Sequence, residues 1–161
     1  MKIRLGIVGL GTVGSGVIRL IEKNRAIYKK KFGLDLIING ISAKSKNKKR
    51  NFDVAKYNWY KEPLKMTSSN DIDIIVELVG GDKGLPLELA KKTLINKKHL
   101  VTANKAMIAT KGEVLINLAN KNLVSINFEA SVAGGIPIIR LIQNSLLSGN
   151  ISGIYGILNG T

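Results

Sequence analysis

The sequence predicts a doubly wound α/β fold with a mostly parallel sheet, and three observations carry that expectation. Short apolar runs alternate along the chain with longer stretches of helical periodicity, the order that builds a parallel sheet. The first run enters a glycine turn, IVGLGTVGSG, where Gly9, Gly11 and Gly14 stand in G-x-G-x-x-G spacing ahead of a helical pattern. Two later runs, residues 71–81 and 98–102, end in small or polar residues. Strands end this way where their C-terminal ends open onto a ligand crevice.

Each glycine of the turn has a mechanical reason. The first makes the tight turn off the strand, the second lets backbone approach a pyrophosphate, and the third lets the following helix lie close to the sheet. Backbone N–H groups at the start of that helix then point at phosphate, assisted by the helix dipole. A bare glycine triplet also serves purely structural turns. Here strand, turn and helix follow in the required order, which points to dinucleotide binding.

At 161 residues the chain is one domain, or one domain and the beginning of another, and 45% hydrophobic content suffices for a packed core. The absence of cysteine excludes disulfides, thiolate nucleophiles and cysteine-held metals, and fits a reducing cytoplasm. No signal-peptide pattern and no membrane-length apolar run stands out, so a cytoplasmic protein with no membrane partner is expected. Lys and Arg number 25 against 11 acidic residues, a formal net charge of +14. The densest basic stretch, residues 44–50, has no interleaved aromatics and matches no nucleic-acid motif. A solvated lysine-rich surface, with no nucleic-acid partner, is the expectation.

The first helix should run from Thr12 towards Lys30 and exit at Gly33, with Val13, Val17, Ile18, Leu20 and Ile21 against the sheet. Residues 34–41 read as the second strand. NAD-specific folds usually place an acidic residue at the far end of this strand, on the ribose hydroxyls. Asp35 stands at the wrong end, and Ser42, Ala43 and Lys44 occupy the right one. A carboxylate there would repel a 2'-phosphate whereas Ser42 and Lys44 would accept it, so the sequence favours NADP over NAD. In residues 51–69, Phe52, Tyr57, Trp59 and Tyr60 should cover a sheet edge, and Pro63 should break any helix; no strand and no function is assigned there.

Ile72, Ile74, Ile75 and Val76 form a buried strand with Gly80 and Gly81 at its mouth. Glu77, inside this apolar run, should be hydrogen-bonded or near the mouth. A helix over 85–96 follows, with Pro86 in its first turn and a stripe of Leu87, Ala90 and Leu94. Residues 98–102 are the next strand, with His99, the only histidine, as a surface residue. Thr102, Ala103, Asn104 and Lys105 then face the same crevice as the glycine turn, which gives Lys105 a binding or proton-handling role. The helix continues irregularly through Gly112 to about Asn120, with Val114, Leu115 and Leu118 inward, and residues 123–129 read as a further strand. Beyond it, Gly134 and Gly135 need unusual backbone angles and Pro137 starts a helix. Ile138, Ile139, Leu141, Ile142, Leu146 and Leu147 make that helix apolar on several sides, as where a second domain or subunit packs. Residues 151–158 read as one more strand, and with Asn159, Gly160 and Thr161 after it the chain reads as cut from a longer protein.

Four stretches together resemble homoserine dehydrogenase: GLGTVGSGV at 9–17, VTANKA at 101–106, EASVAGGIPII at 129–139 and GILNGT at 156–161. The resemblance covers nearly the whole chain, and the last three in this order are far more specific than the glycine turn. It implies a Rossmann NAD(P)-binding domain over residues 1–130, then over 131–161 the hinge and first elements of an α+β catalytic and dimerisation domain. It implies interconversion of L-homoserine and L-aspartate 4-semialdehyde with NADP or NAD, in the branch leading to threonine and methionine, by a homodimer or higher homo-oligomer.

By the same resemblance Gly9, Gly11, Thr12, Val13 and Gly14 hold the pyrophosphate and Lys44 the 2'-phosphate. Gly80 and Thr102 line the nicotinamide side, and Lys105 stands where cofactor and substrate meet in a supporting catalytic role. A monovalent cation, usually sodium, is implied on the Glu129 carboxylate and the carbonyls of Val132, Gly134 and Ile136. A hard cation prefers such oxygen ligands. The family's main proton-transfer lysine and its substrate-gripping carboxylates come after the NGT motif, which places them beyond Thr161. Residues 1–161 should therefore bind nucleotide without turnover. Two other kinds of reading remain, another amino-acid pathway oxidoreductase on the same fold and a binding module of a different class. An aspartate-semialdehyde dehydrogenase needs a cysteine nucleophile and a dihydrodipicolinate reductase a histidine-rich motif. A nucleotide-sensing or nucleic-acid-associated module would lose binding steeply with salt.

Overall fold

A computed structural model of the chain describes residues 1–146 and 149–156. Strands β1 (Lys2–Val8), β2 (Asp35–Ser42), β3 (Asn58–Trp59), β4 (Ile74–Glu77), β5 (His99–Thr102) and β6 (Ile126–Asn127) form one sheet, in the order β3-β2-β1-β4-β5-β6. Every neighbouring pair is parallel. The strand order reverses between β1 and β4, which opens a crevice at their C-terminal ends. The doubly wound architecture expected from the sequence is the one observed. Helices α1 (Thr12–Phe32), α2 (Leu85–Ile95) and α3 (Lys105–Lys121) cover the sheet, and a one-turn α4 (Ile138–Arg140) follows it. Among the described residues no helix is long and apolar enough to cross a membrane.

Two apolar clusters sandwich the sheet. One packs Ile7, Ile18, Ile21, Ile38 and Ile41 beneath α1, and the other packs Met66, Ile75, Leu89, Leu94, Leu100, Met107 and Leu115 beneath α2 and α3. On α1 the buried residues are Gly14, Ile18 and Ile21, a narrow i, i+4, i+7 stripe. Val13 and Leu20, expected inward, are 58% and 57% exposed. The helix touches the sheet through a glycine, which carries no hydropathy signal, so the buried stripe is displaced from the apolar one. Gly33 closes α1 at φ 68°, its N–H on the Lys29 carbonyl, and three lysines in the last turn suit the negative end of the dipole.

Residues 51–69 hold more structure than their composition announces. Asn58 and Trp59 pair with Gly40 and Ile41 as the edge strand β3, the one strand left unassigned from the sequence. Pro63 does not end a helix but opens a 3-10 stretch, Pro63–Ser68, from a position where a missing N–H costs nothing. Helix α2 buries Leu89, Ala90, Thr93 and Leu94, with Leu87 only partly covered. Helix α3 runs unbroken through Gly112, and it buries Leu115 but leaves Val114 exposed. Residues 151–156 form no strand, since no described strand lies alongside to share a ladder. Ile157 and Leu158, the end of that expected strand, lie outside the described residues, as do Leu147 and the closing Asn159, Gly160 and Thr161 of the GILNGT stretch.

The start of β1 is tied to the approach to β4 by an ion pair. Asp73 accepts from the Arg4 guanidinium at 2.6 and 3.0 Å and from the Arg4 N–H at 2.8 Å. Its hydrogen bond to that side chain, above all, holds the Asp73 carboxyl below the usual carboxylate value. A carboxyl lowered by folding contributes stability that is fully present above its unfolded pKa and is lost as pH falls through the folded value. Denaturant titrations between about pH 5 and pH 2 should therefore show Asp73→Asn with a shallower acid loss than the unsubstituted chain. Parallel acid limbs would count against the pair.

Candidate dinucleotide-binding site

At the end of β1 the chain turns through Gly9, whose φ of 100° puts a Cβ 2.5 Å from the Leu78 carbonyl oxygen. The Gly9 N–H reaches the Ser42 carbonyl at 2.9 Å, and the Leu78 N–H reaches the Val8 carbonyl at 2.8 Å. These bonds tie the mouths of β2, β1 and β4 together. A Cβ on Gly14 would be driven into the Gly9 carbonyl oxygen, so α1 can start this close only with glycine there.

Gly11 is different. Nothing lies within 4 Å of where its Cβ would be, and its φ of −77° is open to any residue. Neither packing nor backbone demands glycine at 11; its bare backbone leaves room on the cleft side for a ligand to come close. Gly11 also precedes a helix with no side-chain cap and no acid in its first turn. The first intrahelical bond runs from Ser15 to Gly11, which leaves the N–H groups of Thr12, Val13 and Gly14 without helical partners. A diphosphate fits this arrangement in both shape and sign.

On one side of the turn a cleft of about 600 Å³ is lined by Gly9, Gly11, Ser42, Lys44, Lys48 and Lys61, among others. A second cleft, about 520 Å³, has Thr12, Ser15, Arg19, Lys48, Lys49 and Arg50 in its wall. Lys44 and the glycine turn are thus brought together, with more basic residues than the sequence pattern singled out. Arg50 organises them: its guanidinium donates to the carbonyls of Ser45 at 2.7 Å, Lys48 at 2.9 Å and Lys46 at 3.1 Å, and lies 5.9 Å over the Trp59 ring. Asp35 is at the opposite end of β2, paired with Arg25 at 2.6 Å.

On the other side Val13, Leu78, Val79, Gly80, Ala103 and Asn104 line a smaller pocket of about 170 Å³. Gly80 and Gly81 hold φ of 84° and 87°, turning the chain at this mouth. Glu77 is fully buried beneath them and accepts from Val79 N–H at 2.7 Å, Gly80 N–H at 3.3 Å and the Thr102 hydroxyl at 2.6 Å. Thr102 is fully buried as well, so its hydroxyl faces the protein and not the pocket. Asn104 caps α3 through the Met107 N–H and donates to the Gly81 carbonyl at 2.6 Å. Lys105 follows as the exposed first residue of α3. The capping role of Asn104 has a sequence signal, an Asn directly ahead of a helical pattern. The partners of Arg50 and Glu77 have none.

The loop after β6 turns through Ala133, Gly134 and Gly135 at positive φ. Glu129 accepts the N–H groups of Ile139 and Arg140, each at 3.0 Å, and so caps α4. The Ile136 carbonyl accepts the Ile138 N–H at 2.8 Å. Glu129, Val132, Gly134 and Ile136 offer only oxygen donors, and an oxygen that accepts one N–H keeps a second lone pair. The donor chemistry therefore suits a hard monovalent cation. Lys105, expected in a supporting catalytic role, is not among the residues that line the small pocket; it follows Asn104, which is, and Thr161 lies outside the described residues.

Residues 9–129 match the family model described as homoserine dehydrogenase, NAD binding domain. The chain belongs to that family. It is 39% identical to the Bacillus subtilis homoserine dehydrogenase over 163 aligned positions, covering 99% of this chain and 36% of that one. A crystal structure of the S. aureus homoserine dehydrogenase aligns with a TM-score of 0.78 at 38% identity, over 83% of this chain and 34% of that one. A hyperthermophilic archaeal homoserine dehydrogenase, solved in complex with NADPH, aligns with a TM-score of 0.71 at 27% identity, over 88% and 48% of the two chains. The chain spans about a third of the length of the curated relatives it matches. It is the NAD(P)-binding domain of the homoserine dehydrogenase pattern, and the nucleic-acid-associated alternative finds no support among these relatives.

The two kinds of glycine in this homoserine dehydrogenase turn are separable by experiment. Gly14→Ala should lower stability by about 1 to 3 kcal/mol through overpacking against the Gly9 carbonyl. Gly11→Ala should leave thermal unfolding within about 0.5 kcal/mol and weaken NADPH binding at least tenfold. Equal effects of the two on stability, read by denaturant titration, would contradict the distinction.

Proposed function

We propose that this chain is the cofactor-binding part of a homoserine dehydrogenase that prefers NADP and interconverts L-homoserine and L-aspartate 4-semialdehyde on the way to threonine and methionine. The observation that carries the reading is the bare backbone of Gly11 at the uncapped start of α1, beside Lys44 and Lys48. Gly9, Gly11, Thr12, Val13 and Gly14 cradle the pyrophosphate, and Lys44 meets the 2'-phosphate at an end of β2 that has no carboxylate to repel it. The nicotinamide, when bound, accepts or returns the hydride of the alcohol carbon. Val13 and Gly80 wall its pocket, Thr102 supports that wall from below, and Lys105 at the start of α3 orients substrate and helps hold the proton of the alcohol oxygen.

In this reading residues 1–130 are the nucleotide-binding domain, and 131–161 are the hinge and start of the catalytic and dimerisation domain. Sodium sits on the Glu129 carboxylate and the carbonyls of Val132, Gly134 and Ile136. The assembly is a cytoplasmic homodimer or higher homo-oligomer. Exposed Ile136, Leu141, Leu146, Ile154 and Tyr155 supply apolar surface for that packing.

Calorimetric titration of residues 1–161 with NADPH and NADH tests the cofactor assignment. NADPH should bind more tightly, and Lys44→Ala should bring its affinity down towards that of NADH. Failure of both cofactors to bind would refute the reading. The same chain, mixed with homoserine and either cofactor, should show no turnover, because in this reading the main proton-transfer lysine lies beyond Thr161. Measurable reduction of NADP by residues 1–161 would overturn that placement.

A further inference from the structure

Glu77 is the one fully buried carboxylate among the described residues. It lies at the end of β4 in a row with Val8 of β1 and Thr102 of β5, at the point where the sheet order reverses. A leucine or valine would satisfy the strand pattern there, and a buried carboxylate is costly unless donors surround it. Three donors do: the Val79 and Gly80 N–H groups on Oε1, and the Thr102 hydroxyl on Oε2. The Thr102 oxygen itself accepts the Asn104 N–H at 3.0 Å, so its single proton is directed to Glu77. Asn104 completes the circuit by donating to the Gly81 carbonyl. The circuit joins the loop after β4 to the loop after β5, and Val79, Gly80 and Asn104 within it are walls of the small pocket.

We propose that Glu77 is a positioning residue for the nicotinamide half of the cofactor. It acts through Gly80, Thr102 and Asn104, fixing the two loops as one unit and with them the start of α3 that carries Lys105. This rests on the dinucleotide reading of the site. Glutamine cannot substitute. With its oxygen towards Val79 and Gly80, its amide would occupy the place of the acceptor, and the Thr102 hydroxyl would have to turn its proton away and lose its partner; flipped, the amide would face two backbone N–H groups. Either way one loop must shift. Val79 is the one member of the circuit that also lines the cleft around Lys44, whereas Gly80, Thr102 and Asn104 do not, so the basic side chains of the adenosine half keep their places.

The test compares two probes on residues 1–161 by titration calorimetry: NADPH, and 2'-phospho-ADP-ribose, which lacks the nicotinamide. Glu77→Gln should lose about 10- to 100-fold in NADPH affinity while holding 2'-phospho-ADP-ribose within about twofold. Thr102→Val should show the same split, and Thr102→Ser, which keeps the hydroxyl, a smaller one. A purely structural role would weaken both probes in parallel, and that result, or no change in either, overturns the inference. Should Glu77→Gln fail to fold, the Thr102→Val and Thr102→Ser pair decides by the same ratio. If the unsubstituted chain binds NADPH no more tightly than 2'-phospho-ADP-ribose, the inference fails while the dinucleotide reading stands. If it binds neither, both fall.

Discussion

The approach of α1 to the turn before it is the constraint on which the rest of the site depends. Gly14 lies against the Gly9 carbonyl with no room for a methyl group, and Gly9 lies against Leu78 at the end of β4. That double contact sets the helix start directly over the gap between β1 and β4. A larger residue at either place would push the helix away and carry its free N–H groups with it. The depth of the helix also decides its burial: Gly14, Ile18 and Ile21 are buried, Val17 packs partly covered beside them, and Val13 is left in the wall of the small pocket instead of the core.

From that fixed centre the crevice divides into ends of opposite character. Towards β2 the walls are basic, and the loop that carries them is gathered by one guanidinium on three carbonyls and an indole face. Three backbone acceptors engage Arg50 in a way that a lysine, with a compact point charge, could not reproduce. Towards β5 the walls are glycine, alanine, apolar side chains and the single amide of Asn104, and order comes from beneath, through a buried carboxylate. Phosphate needs charge and tolerates a wet, open cleft, whereas a flat aromatic ring needs shape and dryness. The long-range field of the +14 chain favours the approach of anions.

Much of this was legible in the residues themselves. The glycine spacing, the absence of an acid at the far end of β2 and the polar cluster at 102–105 are local patterns, and local patterns survive without coordinates. What could not be read has a common cause. Strand β3 is two residues long and exists through its pairing with Gly40 and Ile41, not through periodicity. The inward face of α1 is marked by a glycine that has no hydropathy. Arg50 bonds carbonyls, which every residue carries, so no residue type announces its partners. Glu77 could be flagged as a polar residue in an apolar run, yet Thr102 lies 25 positions away and only the parallel register brings the two together.

The segment after β6 is held differently from the sheet it follows. Ser131 bonds back to the Phe128 carbonyl, and Glu129 caps α4, but these bonds run within the segment and not to β1 or β4. Its large apolar residues, Ile136, Leu141, Ile151 and Ile154 among them, are exposed. The small pocket is walled from the sheet side by Gly80, Ala103 and Asn104. The turn and the helix start that face the clefts belong to the packed sheet and α1, not to the segment after β6. The clefts around Gly11 are lined by residues of the sheet, the turn and the basic loop, none of them from the segment after β6, so their walls do not depend on how that segment packs.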